Sequence, residues 1–275
     1  MQEQTSISTY LATLNVFGKM GKIHSVFDRS FNIAVNDRLI NVTATENFLS
    51  SFGLKLSTTN FDQLQPYCQQ GNLVKLTRDS LTVYSKYGIQ TIQLAPYNQV
   101  ELKIQPISYQ IEELQKLQEL LEIRNLEATI GLSIGVKEVG YFSRLASNQV
   151  ADWVQIVTYL IGRGKGLTPS GDDILLGYLF MLKTYKHPDA SIVAEQIKRH
   201  IKATTSISEN YFYALLDNYV SSVVMDVWRA LDRNESMEQL AAKIDRLLEV
   251  GHTSGHDMCY GILLGAKAVI KEQVQ

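Results

Sequence analysis

The sequence predicts an α+β protein: an N-terminal β-rich domain, barrel-like or a curled sheet, over residues 1–110, then a helical domain over residues 111–275. Three observations carry this. Short runs of alternating apolar residues fill the N-terminal region. Near Pro106 the apolar spacing turns helical. Within the helical domain a single loop–helix unit occurs twice, once in the Gly166–Asp173 motif and again in Gly251–Asp257.

In chain order, Phe31–Val35 and Arg38–Val42 flank Asn36-Asp37 and predict a hairpin. Leu73–Leu76, Leu81–Tyr84 and Ile89–Leu94 predict a second meander, Leu102–Ile104 one more strand, and residues 46–52 a short helix. From Ile111 to about Ala128 the leucines recur at helical spacing. Residues 131–140 read as a loop and 141–161 as a helix. Helices are expected at about 171–186, 189–203, 204–231 and 236–251, the last capped by Ser236, and finally at 255–271.

The repeat is defined by offsets. Counted from Gly171, an Asp, Gly, Leu and Lys fall at Asp173, Gly177, Leu179 and Lys183. Counted from Gly255, the same offsets hold Asp257, Gly261, Leu263 and Lys267. Ser170 and Ser254 precede the two glycines, and Thr168 matches Thr253 if Pro169 is an insertion. Both helices are apolar almost all round, the pattern of buried central helices. A mid-helix glycine costs about 0.5–1 kcal/mol relative to alanine, so Gly177 and Gly261 imply close packing.

Helix N-termini expose unpaired N–H groups and the positive end of the helix dipole, which suits phosphate or carboxylate. If consecutive helices alternate in direction, three hydroxyl-rich helix starts share one end of the bundle: Thr168/Ser170/Gly171, Thr205/Ser206/Ser208 and Thr253/Ser254/Gly255. Such sharing requires 204–231 to be one unbroken helix. Gly166 lets a ligand approach the backbone, and Arg163 and Lys165 add charge. The plainer reading is that these Ser, Thr and Asp residues only cap helices.

Asp172 and Asp173 point about 100° apart on a helix, so one can hold the loop while the other faces a ligand. They are the candidate catalytic pair. Asp173 matches Asp257, whereas Asp172 matches His256. His252, His256 and Asp257 invite a metal reading, but His252 falls in the loop, so no metal ligand is assigned and no cofactor is expected. His24 is a candidate contact from the β domain. His187 and His200 read as surface residues, and Cys259 as inert in an apolar helix.

Composition excludes several classes. A net charge of −2 offers no attraction to nucleic acid or an acidic membrane surface. Two cysteines in 275 residues make no disulfide framework or zinc ribbon. The first ten residues lack a charged segment followed by an apolar one, and no run nears ~18 apolar residues. A cytoplasmic protein is expected.

Ser170–Gly177 is similar to the anion-hole segment of ribokinase-like sugar kinases, but no βαβ series precedes it. The fuller match is to another family. Gly166-Leu-Thr-Pro-Ser-Gly-Asp-Asp173, the Thr205-Ser-Ile-Ser208 segment, Gly251–Asp257 and Gly21-Lys-Ile-His-Ser-Val-Phe27 together resemble the AllH-type family, named as a subunit of oxamate carbamoyltransferase. The resemblance implies partner subunits and a role in allantoin or purine breakdown, where oxalurate and phosphate become oxamate and carbamoyl phosphate. It implies as ligand a small anionic metabolite: phosphate, carbamoyl phosphate or oxalurate. No Ser-Thr-Arg-Thr loop of classical carbamoyltransferases is present. Two other readings stand beside it: a non-catalytic structural or regulatory subunit, and an independent phosphotransferase.

Overall fold

A computed structural model of the chain describes residues 4–44 and 47–274. It comprises two compact units, Met1–Lys103 with Tyr219–Ser222, and Ile104–Asn218 with Val223–Gln275.

The first unit is a curled nine-stranded sheet. Its elements are β1 (Thr5–Ser8), α1 (Tyr10–Thr13), β2 (Lys19–Val26), β3 (Ser30–Val35), β4 (Arg38–Ala44), β5 (Gly53–Leu56), α2 (Thr58–Leu64), β6 (Leu73–Leu76), β7 (Ser80–Ser85), β8 (Gly88–Gln93) and β9 (Tyr97–Val100). The strand order is β8-β7-β6-β2-β3-β4-β5-β1-β9. Pairing is antiparallel except β4–β5 and β1–β9. The predicted hairpin forms as β3–β4 with Val35 opposite Arg38. Its turn works because Asn36 takes φ +54°, a region asparagine tolerates. Phe31, Ile33, Ile40 and Val42 are buried, and Phe31 stacks on Phe61 of α2 at 5.9 Å.

Two expectations fail here. Leu102–Ile104 is no strand. Lys103 instead makes a single bridge to Tyr219, and the last strand is β9. Residues 47–52 hold no helix, while residue 46 lies outside the described residues. Leu49 N–H is taken by Ser222 Oγ at 3.0 Å and Leu49 C=O by Ser222 N–H at 2.8 Å, so non-local bonds replace a helical ladder.

The second unit is helical: α3 (Ile111–Glu122), α4 (Val136–Ala146), α5 (Trp153–Leu160), α6 (Ser170–Thr184), α7 (Ala190–His200), α8 (Ser206–Leu216), α9 (Ser222–Asp232), α10 (Met237–Leu248) and α11 (Ser254–Val274). The segment expected as a loop over 131–140 enters a helix at Val136, where Glu138 accepts the Gly135 N–H at 3.0 Å. The helix expected over 141–161 is two. Asn148 turns left-handed at φ +54°, and Asp152 caps α5 by accepting from Gln155 N–H. The helix expected over 204–231 also breaks, at Asn218 with φ +69°. Tyr219–Ser222 then belongs to the first unit, where Val220 N–H bonds Leu102 C=O at 3.0 Å. Four helices therefore separate the two repeats, and alternation no longer explains where their N-termini lie.

α6 and α11 form the centre of this unit and run in the same direction. Gly177 and Gly261 are the reason they can. A Cβ on Gly177 would overlap the Met258 carbonyl oxygen, and one on Gly261 would overlap that of Ile174. Ile174 and Met258 occupy the same position in the two repeats. The helices thus cross about a local pseudo-twofold axis, each glycine receiving the other copy's backbone. Gly171 and Gly255 do the same against the preceding helices, α5 and α10, at Leu160 and Leu247. The duplicated unit is therefore helix–loop–helix, longer than the sequence offsets alone reveal.

Candidate functional site

The loop between α5 and α6 is shaped by Gly162, Gly164 and Gly166 at φ +71°, +127° and +87°, a region that L side chains rarely adopt. That path presents Gly162 N–H to Asp172 Oδ1 at 2.7 Å. Asp172 Oδ2 accepts the Thr204 hydroxyl. Both oxygens of this buried carboxylate are thus engaged, tying the loop and the α8 entrance to the first turn of α6. Burial raises its pKa, and the hydrogen bonds oppose that rise.

The three hydroxyl-rich starts do meet, although not for the topological reason expected. Thr168 Oγ1 and Ser254 Oγ lie 2.8 Å apart, joining the α6 and α11 starts. Thr205 caps α8 by accepting Ser208 N–H at 3.1 Å, and its own hydroxyl donates to Leu167 C=O. The crossing of α6 with α11 brings these ends together, and the Thr205–Leu167 bond adds the third.

At the junction sit Asp173 and Asp257, 4% and 0% exposed. Their surroundings repeat the pseudo-twofold. The hydroxyls of Ser254 and Thr168 favour the charged form of Asp173, and those of Ser170 and Thr253 favour that of Asp257. Each aspartate therefore meets the threonine of its own copy and the serine of the other. Burial dominates nonetheless. It holds Asp173 well above the usual aspartate range, with the charges of Asp257 and Asp172 pushing the same way. Burial raises Asp257 as well, opposed by the Gly131 N–H that donates to its Oδ1 at 2.8 Å. Asp173 Oδ2 and Asp257 Oδ2 have no hydrogen-bond partner among the described residues. Two buried carboxylates side by side, each short of a partner, favour a proton on at least one.

The backbone amides are less available than helix N-termini usually leave them. Gly171 N–H bonds Arg163 C=O at 2.8 Å, and Asp172 and Asp173 N–H both reach Pro169 C=O. In the second copy Gly255 N–H bonds Val250 C=O at 2.9 Å and Asp257 N–H bonds Thr253 C=O at 2.8 Å. The polar groups facing outward are instead hydroxyls, with Thr168, Thr253 and Ser254 partly exposed.

Other sequence candidates lie differently. Lys165 and Gly166 are exposed on the loop, and Ser206 is exposed in the first turn of α8. Arg163 is committed to Tyr159, stacked 3.8 Å from the ring centroid and bonded to its carbonyl. His252 is exposed in the turn before α11, and His256 Nδ1 pairs with Thr129 Oγ1 at 2.8 Å. Among the described residues no cluster of three or more His, Cys, Asp or Glu side chains could hold a metal. His24 is in the first unit, at a bulge of β2 where the register shifts between Ile23 and Ser25. It joins a polar rung, Ser25–Asn32–Asn41, through Ser25 Oγ at 3.1 Å. His187 is not a surface residue: it is 5% exposed, with Nδ1 accepting Asp189 N–H. Cys259 is buried and its thiol pKa is raised by burial, as an inert core cysteine requires.

Two residues of the site carried no sequence signal strong enough to find them. Gly131 contacts Asp257 from 126 residues away, and a Cβ there would overlap Ser170 Oγ. Thr204 stands next to Thr205 in a Thr-Thr-Ser run, where the sequence does not say which threonine caps the helix.

Residues 160–266 match a family model described as oxamate carbamoyltransferase subunit AllH, and residues 4–97 match the model of the AllH family N-terminal domain. No solved structure matches the chain.

Proposed function

Since the chain belongs to the AllH family, we propose that it serves as a subunit of an oxamate carbamoyltransferase and that its own contribution is the paired-aspartate site at the start of α6 and α11. The observation that carries this reading is the reciprocal setting of Asp173 and Asp257. Two partnerless carboxylate oxygens lie beneath a partly exposed rim of hydroxyls. Such a floor donates or accepts a proton, and such a rim hydrogen-bonds the oxygens of a small anion.

The chemistry follows from proton bookkeeping. A phosphate oxygen attacks the ureido carbonyl of oxalurate, and the bond from that carbon to the inner nitrogen breaks. The leaving nitrogen needs a proton to become the amide of oxamate. The attacking hydrogen phosphate gives one up on becoming carbamoyl phosphate. Asp173, whose protonated form burial favours, donates to the nitrogen and recovers the proton from phosphate, so the reaction balances without a cofactor. Thr168, Ser170, Thr253 and Ser254 orient the anion, with Gly171 and Gly255 shaping the two helix entries. Lys165, exposed and three residues before Thr168, supplies charge at the rim. Asp172 positions the loop. Thr205 and Ser206 border the site, and His252 and His24 are left for contacts in the assembled complex. The pathway served is allantoin or purine breakdown.

The test is carbamoyl phosphate formation by the chain with its partner subunits. Asp173→Asn is expected to lower kcat by at least about a hundredfold while the complex still assembles. Activity within twofold of wild type defeats the proton-relay role.

A second reading has its own support. The first-turn amides are bonded internally and Asp172 spends both oxygens on the fold, as a non-catalytic subunit would allow. It predicts that Asp173→Asn leaves turnover unchanged, while variants that disturb the loop weaken assembly.

A further inference from the structure

The first unit holds a cavity of about 120 Å³, lined by Ile7, Thr9, Phe17, Arg78, Tyr97 and Gln99 among others. Its wall follows from strand geometry. β1 and β9 pair in parallel, with Thr5 opposite Tyr97 and Ile7 opposite Gln99. Alternate residues share a face, so Ile7, Tyr97 and Gln99 line one side together, with Thr9 just past the end of β1. Arg78 enters from the β6–β7 turn, and Asp79 C=O in that turn bonds Leu94 N–H at 2.8 Å, holding it beside the chain that leads into β9.

The polar groups in this cavity are not equally free. Ser8 donates to Ser51 C=O at 2.6 Å, and Thr9 donates to Glu101 Oε1 at 3.0 Å. Those hydroxyl protons are used. Arg78, Tyr97 and Gln99 have no side-chain hydrogen bond or ion pair among the described residues. Three donors, one of them a planar cationic fork, thus line a small open space beside Ile7, Ala12 and Phe17, with Arg78 and Gln99 exposed and Tyr97 half-buried. A guanidinium in that setting matches a carboxylate in two parallel hydrogen bonds.

We propose that this cavity binds a small organic monocarboxylate, its carboxylate on Arg78 with Tyr97 and Gln99, and its apolar end against Ile7 and Phe17. The volume admits on the order of six heavy atoms. A phosphate dianion fits less well. One arginine supplies a single charge, and Glu101, held by Thr9 and by Lys103 N–H at 2.8 Å, adds a negative one nearby. The site is independent of the paired aspartates and of the reaction proposed for them.

Calorimetric titration of the full chain with propanoate, and separately with inorganic phosphate, tests this. Propanoate is expected to bind wild type and Asp173→Asn alike, and Arg78→Gln at least tenfold more weakly, with Tyr97→Phe between. Arg78→Lys, which keeps the charge and loses the fork, is expected to bind more weakly than wild type and stands in should Arg78→Gln fail to fold. No propanoate binding, or equal binding by the Arg78 variants, overturns the proposal. Phosphate binding that is equally strong and equally dependent on Arg78 overturns the carboxylate assignment.

Discussion

Asp172 and Asp173 are neighbours in sequence with opposite surroundings. Asp172 has an N–H and a hydroxyl to accept from, whereas Asp173 has an oxygen with no partner. Their amide variants should therefore separate. Asp172→Asn replaces one accepting oxygen by a donor facing donors and is expected to cost about 1–3 kcal/mol of stability. Asp173→Asn removes a carboxyl whose charged form burial disfavours. The sign follows from proton binding. With its folded pKa raised, the folded state holds the proton more tightly than the unfolded state. The group's cost to stability is fully present above the folded pKa. It is relieved as pH falls through that value and is gone below the ordinary aspartate value. Chemical denaturation across pH should show wild type losing stability as pH rises through that window and Asp173→Asn losing less. A variant that tracks wild type over the whole range contradicts the buried, raised carboxyl.

At the scale of elements, the crossing of α6 with α11 is the feature on which the site depends. Its glycines meet backbone atoms, not flexible side-chain ends, so an added methyl cannot be accommodated by a rotamer change. Gly177→Ala and Gly261→Ala are each expected to destabilise by at least about 2 kcal/mol, against the modest gain that alanine brings to an ordinary helix. Thermal unfolding measures this. An unchanged or raised Tm in either variant would mean that the helices are not in such contact. The repeat offsets and mid-helix glycines were visible in sequence because both copies keep the same residue types at the same spacing. The breaks at Asn148 and Asn218 were not. Apolar periodicity runs on through them, and a left-handed asparagine is chosen by the contacts that reward the turn.

For the whole molecule, the boundary between the units is not one cut in the chain. Tyr219–Ser222 completes the first unit from far along the sequence: Tyr219 bridges Lys103 and packs its ring, tilted, 4.7 Å from that of Tyr10, and Ser222 bonds Leu49. A fragment ending at residue 103 is expected to expose Tyr10 and Leu102 and to melt below the corresponding transition of the full chain. Adding residues 219–222 through a linker should recover some of the loss. Circular dichroism of the two fragments checks this, and equal stability would show that the segment is dispensable. Among the described residues no helix is long and apolar enough to cross a membrane.

Consecutive residues were enough to specify the α+β class, the β3–β4 hairpin, the central helices and the duplicated Gly-Asp unit, because local periodicity and turn chemistry are written in short stretches of chain. They also carried the family motifs that the comparisons bear out. Which groups meet is a property of the tertiary fold alone. It places Ser254 by Asp173 and Ser170 by Asp257, brings Gly131 to Asp257, and spends Asp172 on Gly162 and Thr204. Those pairings join residues up to 126 positions apart. Their energy comes from burial and hydrogen-bond satisfaction in the packed interior, which no window of consecutive residues records.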